Sequence, residues 1–182
     1  TPTGLGVDAK GRIIVIESHT HFRPKDYKGP ERDRVLMFTP LAKGKAKRSI
    51  FYEGLKMGMD VCVGKNGWVY LAERSRILRV RDTNDDGKAD KSEDIITLKT
   101  TGDYPHNGLS GLSFDPKGNL IFGLGENLGH AYTMLGSDGE KIEGAAGIGG
   151  GVFRCSAEGK KLKQIARGFW NPFGTCVDKW DR

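Results

Sequence analysis

Residues 114–119 read F-D-P-K-G-N, and this six-residue pattern decides the fold. It returns as V-D-A-K-G-R at residues 7–12, V-G-K-N-G-W at residues 63–68 and V-D-K-W-D-R at residues 177–182. In each copy an apolar residue precedes a short turn. A glycine in that turn favours a positive φ in three copies, and Asp181 takes its place in the copy at residues 177–182. A segment rich in β-branched and aromatic residues follows the first three turns. The pattern therefore predicts a repeated β-hairpin.

The spacing of the copies leaves room for about four strands in each repeat, which is typical of a propeller blade. Further strands are predicted at residues 34–38, 77–81, 95–98 and 152–155. No stretch has helical periodicity. We predict an all-β chain with the β-propeller fold, of the six-bladed type for the full domain. An open β-sandwich with repeated turns is the alternative.

About three blades and the start of a fourth are expected in the chain. Their predicted bounds are residues 1–53, 54–105, 106–167 and 168–182. Because the fourth copy stops where its second strand would begin, we expect a single partial domain that is truncated at its C-terminus. The sequence also repeats a glycine three positions before the apolar residue, at Gly4, Gly111 and Gly174, with Asp60 in the second copy.

Charge and cysteine content exclude several function classes. The net charge is +6, but its densest stretch, residues 43–48, has no interleaved aromatic residues for stacking on bases, so we expect no nucleic-acid partner. The three cysteines, Cys62, Cys155 and Cys176, form no C-x-x-C motif, which argues against zinc and covalent haem in this segment. No apolar run reaches the ~18 residues that a membrane span needs.

Residues 82–93 read D-T-N-D-D-G-K-A-D-K-S-E and match the calcium-loop pattern D-x-[DN]-x-[DN]-G-x5-E. Ca²⁺ takes six to eight oxygen ligands, which such a loop supplies from alternate positions around a sharp glycine turn. The predicted ligands are Asp82, Asn84, Asp86, the carbonyl of Lys88, Asp90 and Glu93. Since strands are predicted on both sides, we interpret the loop as a structural calcium clamp on a β-hairpin. A solvated acidic turn without metal is the alternative.

Several longer stretches resemble one family. These are T-P-T-G-L-G-V-D-A-K-G-R-I-I-V-I-E-S-H-T-H-F-R-P, D-Y-P-H-N-G-L-S-G-L-S-F-D, G-N-L-I-F-G-L-G-E-N-L-G and G-F-W-N-P-F-G-T-C-V-D. The sequence resembles the membrane-bound dehydrogenase propellers of planctomycete-type bacteria, which are similar to soluble quinoprotein sugar dehydrogenases. The resemblance implies an exported protein, periplasmic or extracellular, with pyrroloquinoline quinone at one mouth of a propeller. It also implies a cytochrome c domain or another electron acceptor downstream.

The resemblance assigns roles to three residues. His106, in H-N-G-L-S-G-L, stands where those dehydrogenases carry the general base, although its spacing to Gly111 is two residues longer. Asn171 matches the asparagine of an Arg-Asn pair that contacts cofactor and substrate. Trp170 replaces the arginine, so it supplies an aromatic face and no cation. For His106 the alternative is a histidine that caps a loop.

Four polar residues are expected to ring the cofactor mouth. Glu17 and Glu73 both follow the turn glycine by six residues, and Glu126 and Asn127 end the third equivalent strand. Carboxylates at matching strand ends would face one mouth of a propeller, or else bond to adjacent loops. His19 and His21 lie on one side of an extended segment and are a further candidate metal pair.

Three functions remain open from the sequence. The first is a quinoprotein-like dehydrogenase that oxidises a sugar or other alcohol, with calcium and pyrroloquinoline quinone as cofactors. The second is a non-catalytic exported propeller that binds glycans or protein partners. The third is a lactonase-like hydrolase in which Glu17, with Asn127 or Asn171, holds a divalent ion.

Overall fold

The structure is a computed structural model that describes residues 1–178. Fourteen β-strands and three short 3₁₀ turns make up the regular structure of these residues, and they contain no α-helix. The all-β prediction is confirmed. The last four residues of the fourth repeat copy, 179–182, lie outside the described residues, so the turn predicted there stays a prediction.

The strands form three antiparallel sheets. The first sheet has the order β1-β2-β3-β4, with β1 Pro2–Val7, β2 Ile13–Glu17, β3 Asp33–Pro40 and β4 Ala46–Leu55. The second has the order β12-β11-β8-β7-β6-β5, with β5 Gly58–Val63, β6 Val69–Glu73, β7 Arg76–Arg81, β8 Lys91–Thr100, β11 Tyr132–Gly136 and β12 Lys141–Gly144. The third has the order β14-β13-β10-β9, with β9 Leu109–Phe114, β10 Leu120–Leu124, β13 Gly150–Cys155 and β14 Lys163–Phe169.

Two compact units divide the chain. The first unit contains residues 1–71 and 79–93, and the second contains residues 72–78 and 94–182. The first sheet lies within the first unit, and the third sheet lies within the second. Each unit is described by itself below.

The predicted hairpin turns have one common geometry. In the turns that join β1 to β2, β5 to β6 and β9 to β10, the fourth residue is Gly11, Gly67 or Gly118, with φ of 73°, 80° and 83°. The glycine N–H donates to the carbonyl of the first turn residue at 3.0–3.1 Å in all three. This backbone is left-handed, which glycine adopts at little cost and residues with a Cβ rarely adopt. The turns are confirmed in each described copy.

Two further glycine turns of the same kind were not predicted from the sequence. Gly139 joins β11 to β12 with φ of 83°, and Gly159 joins β13 to β14 with φ of 82°. The β11–β12 hairpin lies between β10 and β13 in the sequence, and β11 pairs with β8 of the second sheet. Its insertion explains why the third repeat is longer than the first two.

The repeated glycines outside the turns allow first strands of successive repeats to approach closely. A Cβ at Gly4 would lie 2.7 Å from the backbone nitrogen of Val61 and 2.9 Å from Cα of Asp60. In the second unit, a Cβ at Gly111, whose φ is +66°, would lie 3.2 Å from the backbone nitrogen of Gly174. Equivalent positions of neighbouring copies therefore lie backbone to backbone inside each unit.

Alternating strand residues form the cores. The second unit buries Leu109, Phe122 and Phe153, with the two phenylalanine rings stacked at 5.6 Å between centroids. The first unit buries Ile14, Ile16, Val35, Met37 and Leu55. Each fully buried side chain of this kind contributes about 1.5–3 kcal/mol. These cores hold the strand ends that carry the polar residues of interest.

Two turn glycines test the steric part of this fold. Gly159→Ala would place a Cβ against the carbonyl oxygen of Ile95, whereas a Cβ at Gly118 meets nothing within 4 Å. Both residues have nearly the same φ, so Gly118→Ala should lose about 1–2 kcal/mol from left-handed backbone alone. Gly159→Ala should lose at least about 1 kcal/mol more through the clash. Urea unfolding of both variants measures the difference, and equal losses would contradict the packing described.

Candidate functional site

Asn107 is the centre of a buried polar network in the second unit. It ends the 3₁₀ turn Pro105–Asn107, two residues before β9 begins, and is 4% exposed. Its Nδ2 donates to Oε1 of Glu126, and its Oδ1 accepts from Nδ2 of Asn171 at 3.1 Å. The backbone N–H of Glu126 donates to Oδ1 of Asn171 at 3.3 Å. One amide thus joins the segments before β9, after β10 and after β14.

The close approach of these segments depends on Gly125. A Cβ at Gly125 would lie 2.6 Å from Cα of Asn107 and would overlap the side-chain oxygen of Asn171. Glycine at this position is therefore part of the site. The neighbouring Trp170 is 77% exposed and presents its ring to solvent.

His106 precedes Asn107 in the same 3₁₀ turn. Its ring contacts Tyr104 and Phe173 edge to face, with centroids 5.2 Å and 5.7 Å apart. Its Nδ1 lies 3.4 Å from the hydroxyl of Tyr104. The structure therefore brings His106 and Asn171 into one site, since Phe173 and Asn171 belong to the same segment.

Glu126 and Asn127 follow β10 and order the turn Asn127–Gly129. Oε2 of Glu126 accepts from the backbone N–H of Gly129 at 2.9 Å. Asn127 is 1% exposed, and its Nδ2 donates to Oγ1 of Thr100 at 2.8 Å and to the carbonyl of His130 at 2.9 Å. Part of the hydrogen-bonding capacity of both predicted cofactor-binding side chains is thus used within the protein.

Arg74 also belongs to this site, although it lies in no motif of the sequence. It follows β6 directly, is 5% exposed, and donates from Nη2 to Oδ1 of Asn127 at 2.7 Å. A buried arginine at a strand end has no short-range sequence signature, so only the fold reveals it.

Glu73, the residue before Arg74, is engaged in an ion pair. Its two carboxylate oxygens accept from Nε and Nη2 of Arg76 at 2.6 Å and 3.0 Å. Arg76 also donates to Asp94 at 3.0 Å. The pair raises the pKa of the Arg76 guanidinium, chiefly through the hydrogen bond to Glu73. Glu73 ends β6 as predicted and is buried, so its observed contact is with a neighbouring strand.

Glu17 ends β2 in the first unit and faces a histidine. Its Oε2 lies 2.9 Å from Nε2 of His19, and this contact lowers the pKa of the Glu17 carboxyl. Nδ1 of His19 contacts the hydroxyl of Tyr27. The ring of His19 therefore contacts Glu17 and Tyr27. The His19 and His21 metal pair stays a prediction.

A buried carboxylate holds the loop that carries His19. Asp33 is 0% exposed and accepts from the backbone N–H groups of His19, Thr20 and Gly58 at 2.5–2.7 Å. Asp33 lies in none of the sequence motifs. Its position at the start of β3 reads as an ordinary strand boundary.

The acidic loop between β7 and β8 is closed by its own side chains. Oδ2 of Asp82 accepts from the N–H of Gly87 at 2.8 Å, Oδ1 of Asn84 from Asp86 at 3.1 Å, and Oδ1 of Asp86 from Lys88 at 2.8 Å. Gly87 has a φ of 89°. The sharp turn and the alternate-position side chains of the predicted calcium loop are therefore present.

The other two predicted side-chain ligands, Asp90 and Glu93, form hydrogen bonds with other protein groups. Asp90 accepts from the backbone N–H and the hydroxyl of Thr83 at 3.0 Å and 2.7 Å. Glu93 pairs with Arg79 at 2.7 Å and with Lys91 at 2.9 Å, and these bonds lower the pKa of its carboxyl. Within residues 1–178, no three His, Cys, Asp or Glu side chains converge as a metal site.

One atom of the loop does fit a cation. Oδ1 of Asp82 is buried and accepts no hydrogen bond within the described residues. A cavity of about 450 Å³ borders Asp82 and Asp85. Asp82 is thus the predicted ligand that best fits Ca²⁺, because a buried carboxylate oxygen needs either a donor or a metal.

A family model matches the whole chain. It is described as a domain of unknown function, DUF7133, and it covers residues 1–182. The chain belongs to this family. No curated protein matches the DUF7133 chain. Within the described residues, no helix has the length and apolar character of a membrane span.

Solved structures similar to the DUF7133 chain are β-propeller-type proteins. A Lactobacillus plantarum protein is 10% identical with a TM-score of 0.51, over 92% of this chain and 55% of its own. A luciferin-regenerating enzyme is 14% identical with a TM-score of 0.53, over 93% of this chain and 46% of its own. The chain thus spans about half the length of the structures that it matches. At these identities the likeness shows the β-propeller-type fold alone, and the six-bladed count stays a prediction.

The contact between Asn107 and Glu126 predicts that the stability of an Asn107→Asp variant depends on pH. Asn107→Asp would place a carboxylate against Glu126, and the two like charges would repel at pH 7. Repulsion raises the folded-state pKa of the pair, so stability is kept at low pH and lost as pH rises through that raised pKa. We expect a loss of about 2 kcal/mol at pH 7 that shrinks by pH 4, measured by urea unfolding. Asn66→Asp in an exposed turn is the control, and a pH-independent loss at residue 107 would contradict the contact with Glu126.

Proposed function

We propose that this DUF7133 chain is part of a quinoprotein-like dehydrogenase that oxidises a sugar or another alcohol. The observation that carries the proposal is the position of His106 beside the Asn107–Glu126–Asn171 network. An imidazole next to fixed amide and carboxylate groups suits the oxidation of a hydroxyl, in which a proton must leave the oxygen as hydride leaves the carbon.

His106 would accept the hydroxyl proton. The neutral tautomer that donates from Nδ1 toward Tyr104 carries its lone pair on Nε2. The edge-to-face contacts with Tyr104 and Phe173 fix the plane of the ring. A base with a fixed plane can meet a hydroxyl in one orientation, which favours proton transfer.

Asn171 and Trp170 would hold the quinone and the substrate. The Asn171 amide is fixed by Asn107 and by the backbone of Glu126. The exposed ring of Trp170 fits a planar partner by stacking. When bound, pyrroloquinoline quinone supplies the hydride acceptor. Glu17 and Glu73 belong to the proposal only as expected groups at strand ends, since both are paired with protein cations or histidine.

Calcium is proposed as a structural ion of the loop at residues 82–93. The buried Oδ1 of Asp82 supports it. Asn84, Asp86, the carbonyl of Lys88 and Asp90 are the other groups that would hold the ion. Glu93 is the weakest of the predicted ligands, because Arg79 and Lys91 already neutralise its carboxylate.

Export and electron transfer complete the proposal. By its resemblance to membrane-bound dehydrogenase propellers, we place the protein in the periplasm or outside the cell. Electrons from the reduced quinone would pass to a cytochrome c domain or another acceptor.

A lactonase-like hydrolase is the second candidate, and one observation favours it. A carboxylate, Glu126, and two amides, Asn107 and Asn171, meet in a single network. Carboxylate and amide oxygens together can hold a divalent ion that polarises a lactone carbonyl. The two candidates share the same site and differ in the chemistry expected there.

Dye reduction separates the candidates. The full-length protein, incubated with pyrroloquinoline quinone and CaCl₂, should reduce an artificial electron acceptor with at least one member of a panel of sugars and alcohols. His106→Ala should lower that rate by about 10²–10⁴-fold. His130→Ala is the matched control, because His130 is exposed and contacts only Thr101 among the partners described for its ring.

Other outcomes decide against the dehydrogenase. No turnover and no quinone binding would remove it. Lactone hydrolysis that is lost with a chelator and with Glu126→Gln would support the hydrolase. Binding on a glycan array without turnover of either kind would support a non-catalytic propeller.

Calcium makes a separate prediction. Adding CaCl₂ to the metal-stripped full-length protein should raise its Tm, because the ion relieves repulsion among the loop carboxylates. Asp82→Ala should abolish the rise, whereas Glu93→Gln should keep it, and Asp26→Ala outside the loop serves as the control. Differential scanning calorimetry measures all four proteins. An unchanged Tm in the parent protein would contradict the calcium proposal.

A further inference from the structure

Arg74 is a buried cation whose hydrogen-bonding capacity is largely unused. Its side chain is 5% exposed, and Nη2 donates to Oδ1 of Asn127. Nε and Nη1 are buried and donate no hydrogen bond within the described residues. A guanidinium has five N–H donors, and a buried one without partners is strongly destabilising. Such a group calls for an acceptor.

The residues around Arg74 are arranged to hold its guanidinium in place. Asn127, which accepts from Nη2, is itself bonded to Thr100 and His130. Gly102 lies close enough that a Cβ there would be 2.7 Å from Nη2 of Arg74. A Cβ at Gly108 would lie 2.7 Å from Cγ of Arg74. The guanidinium is therefore held by the amide of Asn127 and packed against Gly102, while Gly108 packs against the aliphatic part of the side chain.

Residues 101–108, here called the cover segment, lie over Arg74 and carry His106. The N–H of Leu109, which follows the segment, donates to the carbonyl of Arg74 at 3.0 Å. Gly102 and Gly108 stand near the two ends of the segment, and both pack closely against Arg74. The cover segment therefore brings His106 and Arg74 to the same part of the second unit.

The charges near Arg74 favour a monoanion. Burial lowers the pKa of the Arg74 guanidinium, and the charge of Asp103 opposes that effect. Asp103 is exposed, and within residues 1–178 the one side-chain hydrogen bond described for Arg74 goes to Asn127. One cation with a carboxylate in its vicinity can neutralise a singly charged group and cannot neutralise a dianionic phosphate as well.

We propose that Arg74 binds the carboxylate of a small ligand at the His106 site, through the donors on Nε and Nη1. The inference rests on the proposed function in placing the ligand beside His106, and it assigns that ligand to the carboxylate-bearing sugars and hydroxy acids. The carboxylate belongs either to the substrate or to the quinone, which is itself a polycarboxylate.

Isothermal titration of the full-length protein tests the assignment. The probes are the sodium salts of D-gluconate, D-glucuronate and lactate, the neutral partners D-glucitol and D-glucose, and pyrroloquinoline quinone in a separate arm. At least one carboxylate should bind more tightly than its neutral partner, and Arg74→Gln should weaken that binding by about tenfold or more. Asp103→Asn should leave it unchanged or tighten it, since a competing anion is removed.

Arg74→Lys is a second variant that keeps the test decisive if Arg74→Gln does not fold. It keeps the charge but loses the planar donor fork, so it should fold and bind the carboxylate more weakly than the parent protein. If only the quinone shows Arg74-dependent binding, the carboxylate is that of the cofactor and the assignment of Arg74 stands. If no probe depends on Arg74, the inference is overturned. It is also overturned if Arg74→Gln and Asp103→Asn lose equal stability and the double variant loses no more, because Asp103 is then the partner.

These outcomes are separable from those of the proposed function. Oxidation of neutral glucose that depends on His106, with no Arg74-dependent binding, would leave the dehydrogenase standing and overturn the role of Arg74. Arg74-dependent carboxylate binding by a protein that oxidises none of the probes would support the role of Arg74 and count against the dehydrogenase.

Discussion

The side-chain amide of Asn107 is the interaction on which the second unit's site depends. It accepts from Asn171 and donates to Glu126, so it joins three segments that are distant in sequence. A backbone hydrogen bond from the N–H of Gly125 to the carbonyl of Gly108, at 3.0 Å, joins two of these segments, and the bond between Asn107 and Asn171 adds the third. A buried amide with both ends bonded is strongly oriented, since either unbonded end would cost about 1–3 kcal/mol.

Glycines make that arrangement sterically possible. Gly125 lets the segment after β10 lie against Asn107, and Gly111 lets β9 approach the segment around Gly174. Thr175 fixes the same segment by donating to the carbonyl of Gly111 at 2.5 Å. The repeat pattern therefore serves two purposes, because its turn glycines reverse the chain and its other glycines bring successive repeats into contact. The polar network of the site lies beside these contacts, where Gly125 packs against Asn107.

The fold was largely predictable from local chemistry, and the site only partly. The turns at Gly11, Gly67 and Gly118 can be predicted because glycine adopts a positive φ more readily than other residues do. The β11–β12 hairpin was missed because the pattern gave no warning of an insertion. Glu93 was assigned to calcium by spacing, yet its observed partner, Arg79, lies on the adjacent strand. The spacing of residues in a motif predicts the backbone turn of a loop. It does not predict which neighbouring group a long side chain such as that of Glu93 will bond.

The buried polar residues show the same limit. The family resemblance points to Asn171. It does not point to Asn107, which stands between His106 and Gly108 in the sequence. Asp33 and Arg74 were missed because their importance comes from burial, and burial is set by elements remote in sequence. What they share is a position at the end of a strand or within two residues of it. Ionisable or amide residues at such positions are the ones that a sequence analysis of this fold should examine first.

A crystal structure of the full-length protein tests the central claim most directly. The account predicts that Nδ2 of Asn107 lies within hydrogen-bond distance of Glu126 and that Oδ1 lies within hydrogen-bond distance of Asn171, with His106 adjacent. A structure in which the segment at residues 170–175 lies away from Asn107, so that the two amides do not meet, would contradict it.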